Sequence, residues 1–323
     1  MGKGSIWVWV EKSDGKVRQA SQEALSQGRS LADELGGPLV AIMASPLSKG
    51  NLEDLCGLAD RVIALEGEGE AGPFSVVETL EELIRKDSPW ALLAPGTPST
   101  MDWMPRLSVR IGVDMVSDVV GMELLDGWRL TVKRPVHGGR FLVEMESKEE
   151  GPRLLALRPR AFARKTGSRN PTVDRFPMQA GRPLGVQVLE RAQREKGFVD
   201  LSEARIVVSG GRGMGGPEAF SLLEELASLL GGAVGASRSV VDSGWRPASE
   251  QVGKSGRSVS PDLYMAFGIS GAIHHIMGMD SSKVVVAVNK DPNALIFQHA
   301  DLGIVDDVNH ILPALVEELK RRS

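Results

Sequence analysis

The chain has 323 residues, of which 42% are hydrophobic and 25% are charged, and its formal net charge is −4. This composition is that of a globular protein with room for two domains. The slight negative charge gives no reason to expect nucleic acid or an anionic membrane as the main partner. The single cysteine, Cys56, excludes an intramolecular disulfide, and with only five histidines we expect no metal site.

The N-terminal residues, MGKGSIWVWVEKSDGK, lack the long apolar core and the small-residue cleavage site of a secretory signal. No apolar run in the sequence approaches the roughly 20 residues that a membrane span needs. We therefore expect a cytoplasmic protein without membrane insertion.

Predicted strands and helices alternate in the first part of the chain. Short apolar runs bounded by turn signals predict four strands, SIWVWV (5–10), PLVAIMA (38–44), DRVIALE (60–66) and WALLAP (90–95). Apolar residues at helical spacing predict helices over 17–35 and 76–86. This alternation favours a parallel sheet covered by helices. From about residue 116 the runs become short and β-like, which indicates a hairpin-rich extension.

A second α/β domain is predicted from Ala204 onward. Its expected strands are RIVVSG (205–210), AVGASR (233–238), DLYMAFG (262–268), KVVVAVN (283–289) and LGIVDD (302–307). The residues before it, 164–203, are polar, Pro-containing and poorly periodic, so we interpret them as an extended connector. The predicted boundaries are therefore 1–163 for the first domain and 204–323 for the second.

The glycine-rich segment Gly211-Arg212-Gly213-Met214-Gly215-Gly216 satisfies G-x-G-x-x-G between a predicted strand and a predicted helix. Glycines there let the backbone approach an anion, and the helix N-terminus offers free N–H groups to a pyrophosphate. The same pattern also suits a turn that only packs a helix on a strand. The next strand ends in Ser237-Arg238 instead of an acidic residue, which argues against NAD and leaves a 2′-phosphate or another dinucleotide.

GKSG, at 253–256, looks like the end of a phosphate-binding P-loop but lacks the rest of that motif. A P-loop requires a glycine where Ala248 stands, a strand before the motif and a helix after it. Here a polar loop precedes it, and Pro261 and a strand follow. What remains is a loop that offers backbone N–H groups, the Lys254 ammonium and the Ser255 hydroxyl to some ligand.

Two further features lie at the ends of predicted strands. GISGAIHH (268–275) follows a strand directly and enters a predicted helix, with Ser270 as a candidate phosphate donor and His274 and His275 about one turn into the helix. Either histidine could instead be purely structural. Asn289 and Asp307 come at the ends of the last two strands. Four hydrogen-bonding loops at the carboxyl edge of one sheet suit a long, bent dinucleotide.

The order of these segments along the chain resembles that of a known family. SGGRGMGG, AVGASRSVVDSGW, EQVGKSGRSVSPDLYMAFGISGAIHH and NKDPNALIFQHADLGIVDD follow one another as in the FAD-binding domain of the electron-transfer flavoprotein α subunit, the family that includes FixB. The resemblance is nearly continuous from Ala204 to Lys320. It is looser over residues 5–160.

The resemblance implies an α/β fold of two domains, each a mostly parallel sheet with flanking helices, the second a Rossmann-like domain that holds one FAD. In the family, the residues at Arg238, Ser255 and His275 surround the isoalloxazine ring. Those at Ser270, Asn289 and Asp307 lie on the ribityl, phosphate and adenosine side. The full set of implied FAD-binding positions is Arg212, Ser237, Arg238, Gln251, Val252, Gly253, Lys254, Ser255, Ser270, Gly271, Ala272, Ile273, His274, His275, Asn289 and Asp307.

The resemblance also implies an electron carrier without a substrate site of its own. Such a protein takes electrons one at a time, through an anionic flavin semiquinone, from flavoprotein dehydrogenases, and passes them to a quinone oxidoreductase or another acceptor. It works as a heterodimer with a β subunit, bound mainly by the N-terminal domain. Trp103 and Met104 would lie either in that interface or in the core. A guanidinium at Arg238 would favour the anion because arginine stays protonated.

The chain departs from the usual family pattern at three positions, with Lys254-Ser255 in place of Gln-Thr and His274 in place of Gln. Serine keeps the hydroxyl, whereas Lys254 and His274 could either add positive charge near the flavin or face solvent. Three alternatives stay open at this point. They are an NADP-dependent dehydrogenase that uses Arg238 for the 2′-phosphate, a scaffold that holds a nucleotide only for structure, and a bifurcating member of the family.

Overall fold

The computed structural model describes residues 4–13, 15–44, 55, 57–67, 72–137, 139, 141–146, 151–179 and 200–322. The chain forms two units, Met1–Glu190 and Arg191–Ser323. The strands of the first unit are β1 (Ile6–Trp9), β2 (Lys12–Ser13), β3 (Lys16–Val17), β4 (Leu39–Met43), β5 (Arg61–Glu66), β6 (Ala91–Pro95), β7 (Met115–Val119), β8 (Gly121–Leu125), β9 (Arg129–Val136), β10 (Phe141–Glu146), β11 (Arg153–Leu157) and β12 (Thr172–Pro177).

Among the described residues of this unit, three helices accompany these strands, α1 (Gln19–Leu35), α2 (Pro73–Asp87) and α3 (Pro98–Ile111). Helix α1 ends at Gly36, which has φ of 63° and so adopts the left-handed conformation that glycine takes without steric cost. Helix α3 begins after Thr97, whose side chain accepts a hydrogen bond from the backbone N–H of Thr100. These local signals explain where helix α1 ends and where helix α3 begins; of the three helices, α1 and α2 were predicted from the sequence and α3 was not.

Seven strands of the first unit form a parallel sheet in the order β12–β5–β4–β1–β6–β11–β7. Its two faces are covered by separate apolar cores: Ile6 and Val8 of β1 face one core, and Trp7 and Trp9 face the other. This alternation follows from the period of two along a strand. Strands β8, β9 and β10 form an antiparallel sheet, as the hairpin-rich pattern predicts.

The structure corrects part of the predicted connector. Within 164–203, residues Thr172–Pro177 form β12, which pairs in parallel with β5 at the edge of the sheet. This edge strand is mostly exposed, so its sequence, TVDRFP, lacks the apolar period that identifies a buried strand. Arg61 of β5 and Asp174 form an ion pair of 2.5 Å across the two strands. Residues 180–199 of the predicted connector lie outside the described residues.

Trp103 and Met104 belong to the core of the first unit. They are 1% and 0% exposed, and the Trp103 ring lies 5.2 Å from that of Trp9, measured between centroids. The alternative that placed them in a subunit interface is therefore wrong. The helical spacing of α3 directs both side chains toward the sheet, as the core interpretation requires.

The second unit is a five-stranded parallel sheet with helices. Its strands are β13 (Ile206–Gly210), β14 (Ala233–Ala236), β15 (Leu263–Phe267), β16 (Val284–Asn289) and β17 (Leu302–Val305), and its helices are α4 (Phe220–Leu230), α5 (Arg238–Asp242), α6 (Ile273–Ile276) and α7 (Val308–Arg322). All five strands were predicted from the sequence, and the α/β fold class is confirmed. Among the described residues no helix is both long and apolar enough to cross a membrane.

The strand order in this sheet, β14–β13–β15–β16–β17, places the candidate site. After β13 the chain proceeds to β14 on one side, and it then returns to β15 on the other side. In open α/β sheets, ligands bind outside the carboxyl ends of the strands at such a reversal. Helix α6 is only four residues long, so His274 and His275 lie in its first turn, and the prediction of a full turn before them is wrong.

Candidate functional site

A cavity of about 520 Å³ lies in the second unit at the carboxyl edge of its sheet. Its size is within the range of pockets that hold small molecules and cofactors. It is lined by Gly211, Arg212, Gly213, Ser237, Arg238, Ser239, Asp242, Gln251, Val252, Gly253, Ser255, Gly268, Ile269, Ser270, Ala272, His274, His275, Asn289, Asp291 and Ala294. These residues come from the loops after β13, β14, β15 and β16 and from the loop before β15, so one cavity unites the segments that the sequence singles out.

Glycines allow the loops after β13 and β15 to touch. A Cβ atom on Gly211 would lie 2.2 Å from the Gly268 carbonyl oxygen, and one on Gly213 would lie 2.7 Å from the Gly268 Cα. Gly268 has φ of 62°, which side chains disfavour. The Gly213 N–H donates to the Gly268 carbonyl oxygen at 3.0 Å. The glycine-rich motif therefore serves close backbone approach at the mouth of the cavity.

The loop after β14 contributes a charged helical turn. Ser237 is buried and precedes α5, while the Arg238 side chain is 68% exposed. The Arg238 Nε atom lies 3.3 Å from Oδ2 of Asp242, one turn later on the same helix. Because both groups are exposed, this pair contributes little to stability. It places a cation and an anion side by side on the cavity wall.

The segment between α5 and β15 is anchored by ion pairs and by backbone hydrogen bonds. Arg246 pairs with Glu250 at 2.7 Å and with Glu224 of α4 at 2.6 Å, and these carboxylates raise its pKa against the effect of burial. The Gln251 side-chain amide donates to the Ser255 hydroxyl at 3.0 Å. The Lys254 N–H donates to the His274 carbonyl oxygen at 2.7 Å. This anchoring fixes the GKSG loop beside α6.

The loop after β15 carries a row of free backbone donors. The N–H groups of residues 270–274 donate no hydrogen bond in the described part of the chain. Gly271, with φ of 82°, brings this backbone against Ile296. Asn289 fixes the neighbouring loop, since its amide donates to the Ile269 carbonyl oxygen at 2.9 Å and its oxygen accepts from the Asp291 N–H. Free N–H groups next to a hydroxyl suit an anionic or carbonyl ligand.

His275 is the buried polar side chain of the cavity wall. Its Nε2 atom lies 2.8 Å from the Tyr264 hydroxyl, whereas its Nδ1 atom is buried without a hydrogen-bond partner among the described residues. Burial lowers the pKa of His275 to about 4, and the backbone of Val252 opposes this shift. The imidazole is therefore neutral at pH 7, and one of its two nitrogens makes no hydrogen bond within the described part of the chain.

Most of the positions that the sequence singles out line this cavity. Four do not: Lys254, Gly271, Ile273 and Asp307 lie in the same loops or at the next strand end but are absent from the wall. Lys254 is exposed, and Asp307 accepts from the backbone N–H of Asn309 at the start of α7. Exposure of Lys254 agrees with the interpretation that its ammonium faces solvent.

Sequence reasoning missed several wall residues, among them Ser239, Asp242, Asp291 and Ala294. The sequence spacing could have indicated Asp242, because it lies four residues after Arg238 on a helix, where opposite charges face each other. The position of Asp291, two residues after Asn289 at a strand end, could likewise have indicated it. Ala294 has no chemical signal and lies on the wall only because its loop returns there.

Comparisons with known proteins find matches along both parts of the chain. Residues 6–180 match the electron transfer flavoprotein domain, and residues 200–280 match the electron transfer flavoprotein FAD-binding domain. The chain is 34% identical to the electron transfer flavoprotein subunit alpha of Thermoanaerobacterium thermosaccharolyticum over 98% of both chains. It is 35% identical to protein FixB of Clostridium saccharobutylicum, over 98% of this chain and 96% of that one. It is 34% identical to the electron transfer flavoprotein subunit alpha of Bacillus subtilis, over 99% of this chain and 98% of that one.

The chain belongs to the electron transfer flavoprotein α-subunit family. The family resemblance drawn from the sequence is therefore confirmed, and so are its cofactor, FAD, and its role in electron transfer. The match decides against the alternative of an NADP-dependent dehydrogenase. Among the described residues, no three His, Cys, Asp or Glu side chains come together as a metal site.

The cavity residues of this electron transfer flavoprotein subunit fit a flavin dinucleotide. The buried Nδ1 of His275 has no hydrogen-bond partner among the residues that the structure describes and can serve a ring carbonyl. The free N–H groups of 270–274 and the Ser270 hydroxyl can serve phosphate oxygens. Arg212 and Arg238 supply positive charge on the same wall. The wall thus offers donors and cations, which are what an anionic dinucleotide requires.

Proposed function

We propose that this chain, as an electron transfer flavoprotein α subunit, binds one FAD in the cavity of its second unit and relays single electrons. The observation that carries the proposal is the coincidence of the FAD-domain match with a donor-lined cavity at the strand reversal of that sheet. FAD supplies the redox chemistry when bound. The chain's own residues bind it, orient it and set the charge around it.

We assign three residues to the ring end of the cavity. Arg238 supplies a positive charge, which favours acceptance of an electron. His275, neutral and buried, donates a hydrogen bond without adding charge. Ser255 offers a hydroxyl whose other partner is the Gln251 amide.

The opposite end of the cavity receives the ribityl chain, the phosphates and the adenosine. Ser270 and the free N–H groups that follow it are suited to phosphate oxygens. Asn289 holds the adjacent loop in place through Ile269, so it acts as much on the backbone as on a ligand. Asp307, at the next strand end, remains a predicted contact to the adenosine side.

We infer that the first unit binds a β subunit to form a heterodimer. Strand β10 supports this inference, because it lies at an edge of the antiparallel sheet and is exposed along its whole length. Phe141 and Leu142 are 61% and 57% exposed. Exposed large apolar side chains of this kind mark protein interfaces.

The donors and acceptors of electrons are proposed from the family. Flavoprotein dehydrogenases would deliver electrons, and a quinone oxidoreductase or another redox protein would take them. The chain would need no acid–base set of its own, since its partners act on the substrates. We keep the cytoplasm as the predicted location.

Production of the chain together with its β subunit tests the proposal. We expect a yellow heterodimer with one FAD in the second unit of the α chain, and reduction in two separate one-electron steps. The Arg238→Gln variant should still bind FAD but accept the first electron less readily. Colourless protein that does not take up added FAD would refute the proposed function.

A further inference from the structure

A tyrosine and a histidine form a buried pair beneath the cavity. Tyr264 is the chain's single tyrosine, lies in β15 and is 0% exposed. Its hydroxyl lies 2.8 Å from Nε2 of His275, which is 6% exposed. The two rings are tilted by 58°, with centroids 6.1 Å apart. The hydroxyl thus meets the imidazole at Nε2, which leaves Nδ1 for another partner.

The environment decides which group donates. Burial raises the pKa of the Tyr264 hydroxyl, so it keeps its proton, and burial lowers the pKa of His275 to about 4, so the imidazole is neutral. The Ser209 hydroxyl is buried and forms no hydrogen bond in the described part of the chain, so the hydrogen-bond partner of the Tyr264 hydroxyl there is Nε2 of His275. Nε2 of His275 is therefore the acceptor available to the tyrosine proton.

A neutral imidazole carries one proton on its two nitrogens. If Nε2 accepts from Tyr264, the proton of His275 must sit on Nδ1. That atom is buried, and its geometry forms no hydrogen bond to a described residue. The neighbouring Val252 backbone raises the pKa of the imidazole, as a carbonyl near an N–H would. His275 lines the cavity and its Nδ1 has no acceptor among the described residues, so we take a molecule bound in the cavity as the acceptor of that proton.

We propose that Tyr264 is a positioning residue that holds His275 as the Nδ1–H tautomer, so that the imidazole donates a hydrogen bond to a carbonyl oxygen of the bound flavin. Only the identity of the acceptor rests on the proposed function. Tyr264 itself does not line the cavity and acts through the ring of His275. A protein can select one tautomer by the hydrogen bond made at the other nitrogen.

Nitrogen NMR of the full chain without FAD, labelled at histidine, tests the tautomer directly. The His275 signals are assigned by their loss in a His275→Asn variant. We expect a pyrrole-type Nδ1 and a pyridine-type Nε2 at pH 7, and in Tyr264→Phe a shift toward the Nε2–H form. A proton on Nε2 in the unchanged chain, or the same tautomer in Tyr264→Phe, would overturn the proposal.

FAD affinity in a double-mutant cycle supplies the second measurement. Loss of one net hydrogen bond weakens FAD binding about fivefold in Tyr264→Phe. His275→Asn keeps an amide N–H near the place of Nδ1 and lacks Nε2, so Tyr264→Phe should have no further effect in that background. An equal loss in both backgrounds would show that Tyr264 acts by packing, and would refute the positioning role.

Two controls separate this proposal from others. Met265→Leu changes the next residue of β15, whose side chain lies in the core on the other face of the sheet, and should leave both the tautomer and FAD affinity unchanged. Thermal unfolding of Tyr264→Phe checks that the second unit stays folded. If the unchanged chain binds no FAD, the proposed function fails, whereas the NMR result still decides the tautomer.

Discussion

Protonation of His275 couples the stability of the second unit to pH. The folded chain has a His275 pKa of about 4 because the imidazole is buried, against 6.5 for an exposed histidine. Between these values the unfolded chain binds a proton that the folded chain does not. Stability that is present above pH 6.5 is therefore lost as the pH falls toward 4.

The size of this loss follows from the two pKa values. They differ by about 2.5, and each pKa unit corresponds to about 1.36 kcal/mol, so His275 alone removes about 3 kcal/mol of unfolding free energy. A domain is typically stable by about 5–15 kcal/mol. The second unit without FAD should therefore weaken markedly between pH 6.5 and 4.

Urea unfolding of the full chain without FAD measures the effect at several values of pH from 7.5 to 4. A short amide-exchange pulse, applied at one fixed pH and read by mass spectrometry, reports the unfolded fraction in peptides of the second unit. The comparison is with His275→Asn, which keeps polarity and comparable volume but does not titrate. Other titrating groups contribute equally to both chains and cancel in the difference.

We expect the difference in unfolding free energy between the two chains to shrink by about 3 kcal/mol as the pH falls from 6.5 to 4. A difference that stays constant over this range would refute the reasoning, because it would mean that the imidazole titrates alike in the folded and unfolded chains. An exposed histidine would give that result.

Further predictions concern the loops of the cavity. Gly211→Ala places a Cβ atom against the Gly268 carbonyl oxygen. We expect it to lower the free energy of unfolding by about 1–3 kcal/mol, as measured by thermal unfolding, and to weaken FAD binding. The control Gly72→Ala, whose Cβ would lie in open space at a φ of −68°, should change neither. Potentiometry of the FAD-loaded protein should give a more negative first potential for Arg238→Gln and a value near the original for Arg238→Lys. Asp242→Asn removes the anion beside Arg238 and should make the first potential less negative. A more negative potential in Asp242→Asn would contradict the charge argument.

The positions of strands and glycine turns in the second unit were predictable because their causes are local. An apolar run of β-favouring residues forms a buried parallel strand wherever it is covered on both faces. A glycine-rich segment between strand and helix has few other conformations. For this reason the sequence alone indicated four loops at one sheet edge, including those of Arg238, Ser270 and Asn289. The family resemblance then supplied FAD.

Strand β12 was not predictable, because its residues are exposed and polar and pair only by virtue of the neighbouring β5. Its strand character comes from backbone hydrogen bonds across the sheet, which leave no apolar period in the sequence. The placement of Trp103 in the core was open for a related reason, since helix α3 alone fits either a core or an interface.

The sequence by itself determined the two α/β units, the parallel sheets and the loops that surround the cavity, since short-range patterns set each of them. Tertiary structure alone decided what these loops bring into contact. The Tyr264 hydroxyl reaches His275 because the loop between them turns back onto β15, and Asp242 faces Arg238 at the cavity wall because α5 lies there. The packing buries the imidazole of His275 and bonds its Nε2 to a tyrosine that no local sequence pattern connects with it.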